Sequence, residues 1–70
     1  MTTVHEVIDA VSEYIDAAAE QAGRSINDTR DAMHAGEYGE KGKAAYAVWY
    51  AWQYDGIDGG ASERWLSLAE

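Results

Sequence analysis

Five carboxylates are spaced three, four, three and four residues apart near the start of this chain: Glu6, Asp9, Glu13, Asp16 and Glu20. In an α-helix this spacing keeps neighbours on one face, and at about 100° per residue the five lie within an arc of about 80°. Ionised carboxylates accept hydrogen bonds and pair with guanidinium and ammonium groups. We call these five residues the acidic row. Their pattern indicates either a solvated outer face or a surface that binds basic groups.

The acidic row has a local cost and a geometry that suggests a partner. No Lys or Arg precedes Arg24, and like charges at these spacings cost a few tenths of a kcal/mol per pair, or about 1–2 kcal/mol for four pairs. The row would span about 21 Å of helix axis, with a carboxylate about every 5 Å. One DNA strand carries a charge about every 3.4 Å. A protein groove that holds phosphates with Arg and Lys could accept such a sparse line of charges.

Aromatic residues form the second concentration of chemistry, with five of the eight lying within residues 46–54. We expect Val48, Trp49 and Trp52 to form the core of a chain this small. The tyrosines of the same segment would then lie near the surface as candidate partner anchors: Tyr46, Tyr50 and Tyr54. A homodimer interface is an equal alternative. Stacking on single-stranded nucleic acid is disfavoured because the chain has no basic groove to neutralise phosphates.

Patterns for catalysis or metal binding are weak. His5 and Asp9 stand four residues apart and could share a metal ion or a proton, although a His in the first turn of a helix is more simply a surface residue. The chain has no Cys, so it has no disulfide or thiolate metal site. Asp55 and Asp58 do not have EF-hand spacing, and no P-loop or nucleophile motif occurs. We expect no enzyme, no cofactor and no metal.

The charge distribution restricts the partners. The formal net charge is −8. Residues 1–23 carry −5, residues 24–43 carry 0 and residues 44–70 carry −3. Such a field repels nucleic acid and membrane surfaces and attracts basic protein surfaces. No apolar run is long enough for a membrane span, and we expect no secretory signal because a basic region followed by a hydrophobic one is lacking near residue 1. We therefore expect a cytoplasmic protein without a direct nucleic-acid or membrane partner.

Helix signals predict how these residues are positioned. Thr3 followed by Glu6 is a capping box that opens a helix over residues 4–22, which Gly23 ends. The face opposite the acidic row is apolar and is predicted to lie on a core: Val4, Val7, Ile8, Val11, Ile15, Ala18 and Ala22. Ser25 is an N-cap for a second helix that reaches Ala35 and ends at Gly36. This helix is expected to turn Ile26, Thr29 and Met33 inwards.

The remaining segments are less regular. Residues 37–42 are a predicted loop, because three glycines fall within residues 36–42. Residues 43–54 are compatible with a helix or, over residues 44–54, with a strand. Aromatic content favours the strand and four alanines favour the helix. We expect a helix, because an isolated strand leaves its backbone groups unsatisfied. Residues 55–60 are a predicted loop, and Ser62 caps a short final helix carrying Trp65, Leu66 and Leu68.

The sequence therefore predicts an all-α fold: a single small acidic domain over residues 1–70, built as a compact bundle of three to four short helices. The alternative is α+β. The chain resembles the small phage-encoded inhibitors of host defence, with the anti-CRISPR proteins as the nearest class. The resemblance lies in the size and charge of the whole chain and in the acidic row. This resemblance implies stoichiometric occlusion of a nucleic-acid site on a Cas protein or complex inside the host cell. The alternative function is a homo-oligomeric adaptor or antitoxin-like protein that uses the aromatic face.

Overall fold

The described part of the chain is almost entirely helical. The computed structural model describes residues 4–55 and 59–69. Within them lie α1 (Val4–Ala22), α2 (Ile26–Ala35), α3 (Gly39–Tyr50), a π-helical turn (Ala51–Asp55) and α4 (Gly59–Ala69). The all-α bundle is thus confirmed. The alternative strand over residues 44–54 is wrong, and no strand occurs in the described ranges.

Glycine and serine set the ends of the first two helices as the sequence predicts. Gly23 and Gly36 have φ of 65° and 97°, a left-handed conformation that glycine adopts without strain. The backbone N–H of Arg24 donates to the Ala19 carbonyl at 3.0 Å, which is the bond pattern of a Schellman C-cap. The Ser25 hydroxyl accepts from the Asp28 N–H at 3.1 Å and begins α2. The predicted Thr3 cap lies outside the described residues.

The core lies between α1 and the helices that cross it. Val7, Val11 and Ile15 of α1 are buried against residues of the other three helices, among them Met33 and Trp65. Thr29 is also fully buried, and its hydroxyl donates to the Ser25 carbonyl at 2.9 Å, so its polar group is satisfied. None of the described helices combines the length and apolar character that crossing a membrane requires.

Three predicted core positions, Trp52, Ile26 and Ala22, are wrong, and Ala22 is exposed at the end of α1. Trp52 is 39% exposed and Ile26 is 37% exposed. The π-helical turn explains Trp52, because a residue in a wider i→i+5 turn no longer follows the 3.6-residue repeat that aligned it with Val48. Ile26 is the first residue of α2, where the chain has only just turned back from α1.

Two predicted helix starts are also wrong. α3 begins at Gly39 rather than at residue 43, so most of the predicted loop is helical. The reason is packing: Gly42 is buried, and a Cβ there would overlap the Cβ of Tyr38. α4 begins at Gly59, so Ser62 lies inside this helix and does not cap it. Of the predicted loop over residues 55–60, residue 55 belongs to the π-helical turn, and residues 56–58 lie outside the described part of the chain.

Candidate partner-binding surfaces

The acidic row lies on the outer face of α1, as its spacing predicts. All five of its residues are exposed. Val7, Val11 and Ile15 on the opposite face are buried, so packing fixes the rotation of α1 about its axis and keeps the carboxylates directed to solvent. The row covers about 21 Å of helix axis, in a molecule whose extents are 33 × 26 × 18 Å. It is therefore a large part of one side of the molecule.

Basic side chains lie elsewhere in the described structure. Arg24 pairs with Glu37 at 3.6 Å, and Arg64 pairs with Glu40. Both pairs are exposed, and pairs of this kind contribute about 0–1 kcal/mol. Within the described residues, no ion pair joins a Lys or Arg to the row members Asp9, Glu13, Asp16 and Glu20. The carboxylates of these four residues are thus left for a partner or for solvent.

Lys41 occupies an aromatic site where three helices meet. Its ammonium nitrogen lies 5.0 Å from the ring centre of Tyr14 in α1 and 5.5 Å from that of Trp65 in α4. The two rings are themselves 5.2 Å apart. Burial, and secondarily the neighbouring Tyr38, raise the pKa of the Tyr14 hydroxyl. This cluster is structural, since it ties α1, α3 and α4 together.

A second surface is a groove of about 540 Å³ between α2 and the end of α3. We call it the aromatic groove, because aromatic side chains of α3 and the π-helical turn form one of its walls: Tyr46, Trp49, Tyr50 and Tyr54. Ring centres in this wall are between 4.9 and 6.2 Å apart. Edge and tilted contacts at such distances are favourable for aromatic pairs. The wall is therefore a continuous aromatic surface.

The π-helical turn completes this wall. Tyr54 contacts both Tyr50, at 4.9 Å between ring centres, and Trp49, at 6.2 Å. These residues precede it by four and five positions, and a turn with i→i+5 hydrogen bonds brings both onto the same side. Tyr54 is 69% exposed and Tyr50 is 43% exposed, while Tyr46 is half-buried. Two of the three predicted tyrosine anchors are thus open to solvent.

Polar residues of α2 form the opposite wall. The Arg30 guanidinium lies 4.0 Å from the ring centre of Trp49 and donates a hydrogen bond to the Asn27 side-chain carbonyl. Asp31 also lines the groove and is exposed. One turn further along α2, the ring of His34 lies 4.5 Å from that of Tyr46. The groove already holds one cation against an aromatic face.

Sequence reasoning found the tyrosines but missed the residues that make the groove. Arg30 and Asp31 belong to a different helix, and no local spacing indicates that α2 faces the end of α3. The core prediction for Trp49 holds in part: this half-buried residue packs against the core and also lines the aromatic wall. Trp52 lies outside the groove, with its ring 5.8 Å from that of His5. The structure thus separates Trp52 from the three tyrosines.

The described residues contain no group of three His, Asp or Glu side chains that could hold a metal ion. Comparisons of the chain with protein-family models, with curated proteins and with solved structures give no match.

Proposed function

We propose that this protein is a non-catalytic inhibitor that acts in the host cytoplasm and occludes a basic, nucleic-acid-binding site on another protein. The partner class is a Cas protein or complex, as for an anti-CRISPR protein or DNA mimic. One observation carries the proposal: the acidic row is exposed on a helix whose rotation is fixed, and no ion pair within the described residues joins a Lys or Arg to Asp9, Glu13, Asp16 or Glu20.

Electrostatics supports binding of this kind. A row of exposed carboxylates steers a basic partner and accelerates association, and this effect falls with ionic strength. Arg pairs with a carboxylate through the same planar fork that it uses for phosphate. A groove that evolved to bind phosphates along a strand can therefore bind acids along α1. The inhibitor needs no pocket or cofactor for this mechanism.

The test compares two double variants with the same net charge. Glu13→Lys/Asp16→Lys reverses the centre of the acidic row, whereas Asp28→Lys/Glu63→Lys reverses exposed acids outside it. Each reversal adds two charges, so both variants move the formal net charge from −8 to −4. Each protein is immobilised and incubated with a lysate of host cells. The captured proteins are identified by mass spectrometry and then challenged with duplex DNA.

We expect wild type and Asp28→Lys/Glu63→Lys to capture the same nucleic-acid-binding protein and to release it when DNA is added. Glu13→Lys/Asp16→Lys should fail to capture it while keeping the helical circular dichroism spectrum of wild type. If this variant retains the partner as well as wild type does, the acidic row is only a solvated face and the proposal is wrong.

A second candidate function is a homo-oligomeric adaptor or antitoxin-like protein. The exposure of Tyr50 and Tyr54 beside the groove favours it, because exposed aromatic clusters are typical of interfaces. It requires a stable dimer whose assembly barely depends on salt. Two copies would also bring together two chains of −8 each, which opposes association. Analytical ultracentrifugation at low and high salt distinguishes this candidate from a monomeric inhibitor.

A further inference from the structure

We infer that the aromatic groove is a second binding site, which takes an arginine side chain from a basic segment of the partner. This inference rests on the proposed function, since it assigns the groove to the same partner as the acidic row. It adds the chemistry of the ligand, a planar guanidinium group, and places the site between α2 and the π-helical turn.

The aromatic surface of the groove favours a planar cation. The faces of Tyr and Trp rings attract cations, and guanidinium groups also stack on them. The groove shows this contact within the chain, because the Arg30 guanidinium lies 4.0 Å from the ring centre of Trp49. That contact covers Trp49, but Tyr50 and Tyr54 remain 43% and 69% exposed. Their rings are the open part of the site.

The charge of the chain also favours a basic ligand. Asp31 is exposed on the α2 side of the groove and offers a carboxylate to an incoming guanidinium. Arg30 and Asp31 are the charged residues that line the groove, so the local charge is zero, and the attraction for a cation comes from the net charge of −8 of the whole chain. The same net charge opposes an anionic ligand and a second copy of this chain. A basic segment is therefore the occupant that the electrostatics favours.

The test uses two synthetic probes, a nine-residue peptide of alternating glycine and arginine and its lysine counterpart. They have equal charge, so the acidic row binds both, while planar stacking favours arginine. We measure dissociation constants by NMR titration, following the indole N–H of Trp49 in the groove and that of Trp65 in the core. At an exposed cation–π site, wild type should bind the arginine peptide about two- to fivefold more tightly than the lysine peptide.

Matched variants locate the preference. Tyr54→Leu should bring the two dissociation constants together, and Tyr50→Leu should do the same. Trp52→Leu is the control, because Trp52 is an exposed aromatic of the same π-helical turn that lies outside the groove. It should leave the ratio unchanged. In wild type the arginine peptide should shift the Trp49 signal and not the Trp65 signal, which tests the site without any substitution.

The outcomes separate this inference from the proposed function. Equal binding of the two peptides by wild type would overturn the inference, as would a ratio that survives Tyr54→Leu and Tyr50→Leu or is lost in Trp52→Leu. A dimer that dissociates on Tyr54→Leu would also overturn it in favour of a second copy. Glu13→Lys/Asp16→Lys should weaken both peptides equally and preserve the ratio. If that variant binds both peptides as wild type does, the role of the acidic row fails instead.

Discussion

At the scale of single residues, aromatic rings hold two of the five basic side chains of this protein. Arg30 lies on Trp49, and Lys41 lies near both Tyr14 and Trp65. These cations contribute to packing through their aliphatic stems and through the ring faces. Arg24 and Arg64 form ion pairs, so four of the five basic residues contact groups outside the acidic row. The outer face of α1 therefore stays negative because these four basic side chains contact other groups.

Tyr14 gives a prediction about alkaline stability. Burial and the neighbouring Tyr38 raise the pKa of its hydroxyl in the folded state. Since the folded state holds this proton more tightly, its contribution to stability is complete below the unfolded pKa of about 10 and is lost as the pH rises from there through the folded pKa. Tyr14→Phe should therefore reduce the fall in the free energy of unfolding above about pH 10.

Urea denaturation of wild type and Tyr14→Phe across this pH range measures the effect. The free energies of unfolding of the two proteins should change in parallel with pH below about pH 9, because the tyrosine stays protonated in both states there. This pH region serves as the internal control. Curves that remain parallel up to pH 11 would show that Tyr14 does not couple folding to pH.

At the scale of elements, local signals defined some helices and long-range packing defined others. The boundaries of α1 and α2 were predictable because capping glycines and Ser25 act over a few residues. The start of α3 was not, because glycine at position 42 serves the approach of Tyr38 rather than a turn. Likewise the acidic row was predictable from spacing within one helix. The aromatic groove was not, because it depends on how α2 meets α3 and on a π-helical turn.

Gly42 gives a prediction about packing. In an open helix, Gly→Ala stabilises by about 1 kcal/mol. At position 42 the added Cβ would overlap the Tyr38 Cβ and lie 3.4 Å from the Met33 Cγ. Gly42→Ala should therefore destabilise the protein by about 1–3 kcal/mol in urea denaturation, as overpacking does.

The exposed position Ala47 on the same helix provides the control for Gly42. Ala47→Gly should cost about 1 kcal/mol, the ordinary propensity difference, with no packing contribution. A Gly42→Ala protein more stable than wild type would mean that α3 begins at Gly39 for some reason other than the close contact with Tyr38.

At the scale of the whole molecule, a chain with a net charge of −8 concentrates like charges on one side. Repulsion within the row costs about 1–2 kcal/mol, which matters for a domain of this size. Salt screens exposed charges, with a Debye length of about 30 Å at 0.01 M and about 3 Å at 1 M. We therefore expect the charged face to lower the stability of the folded protein.

This cost gives a prediction about salt. The midpoint of thermal unfolding should rise as sodium chloride increases from about 0.01 to about 0.5 M, because screening relieves the repulsion. Glu13→Lys/Asp16→Lys should start from a higher midpoint and gain less from salt, since it turns two of the four like-charge pairs, Asp9–Glu13 and Asp16–Glu20, into opposite-charge pairs. Differential scanning calorimetry tests both statements, and equal salt responses of the two proteins would contradict them.

The decisive experiment for the inhibitor function is partner capture from host lysate. It compares Glu13→Lys/Asp16→Lys with Asp28→Lys/Glu63→Lys at the same net charge. The proposed inhibitor function predicts that the reversal within the acidic row abolishes capture, while the reversal outside it retains a nucleic-acid-binding partner that duplex DNA displaces. Equal capture by the two variants, or a partner that DNA does not displace, would contradict it.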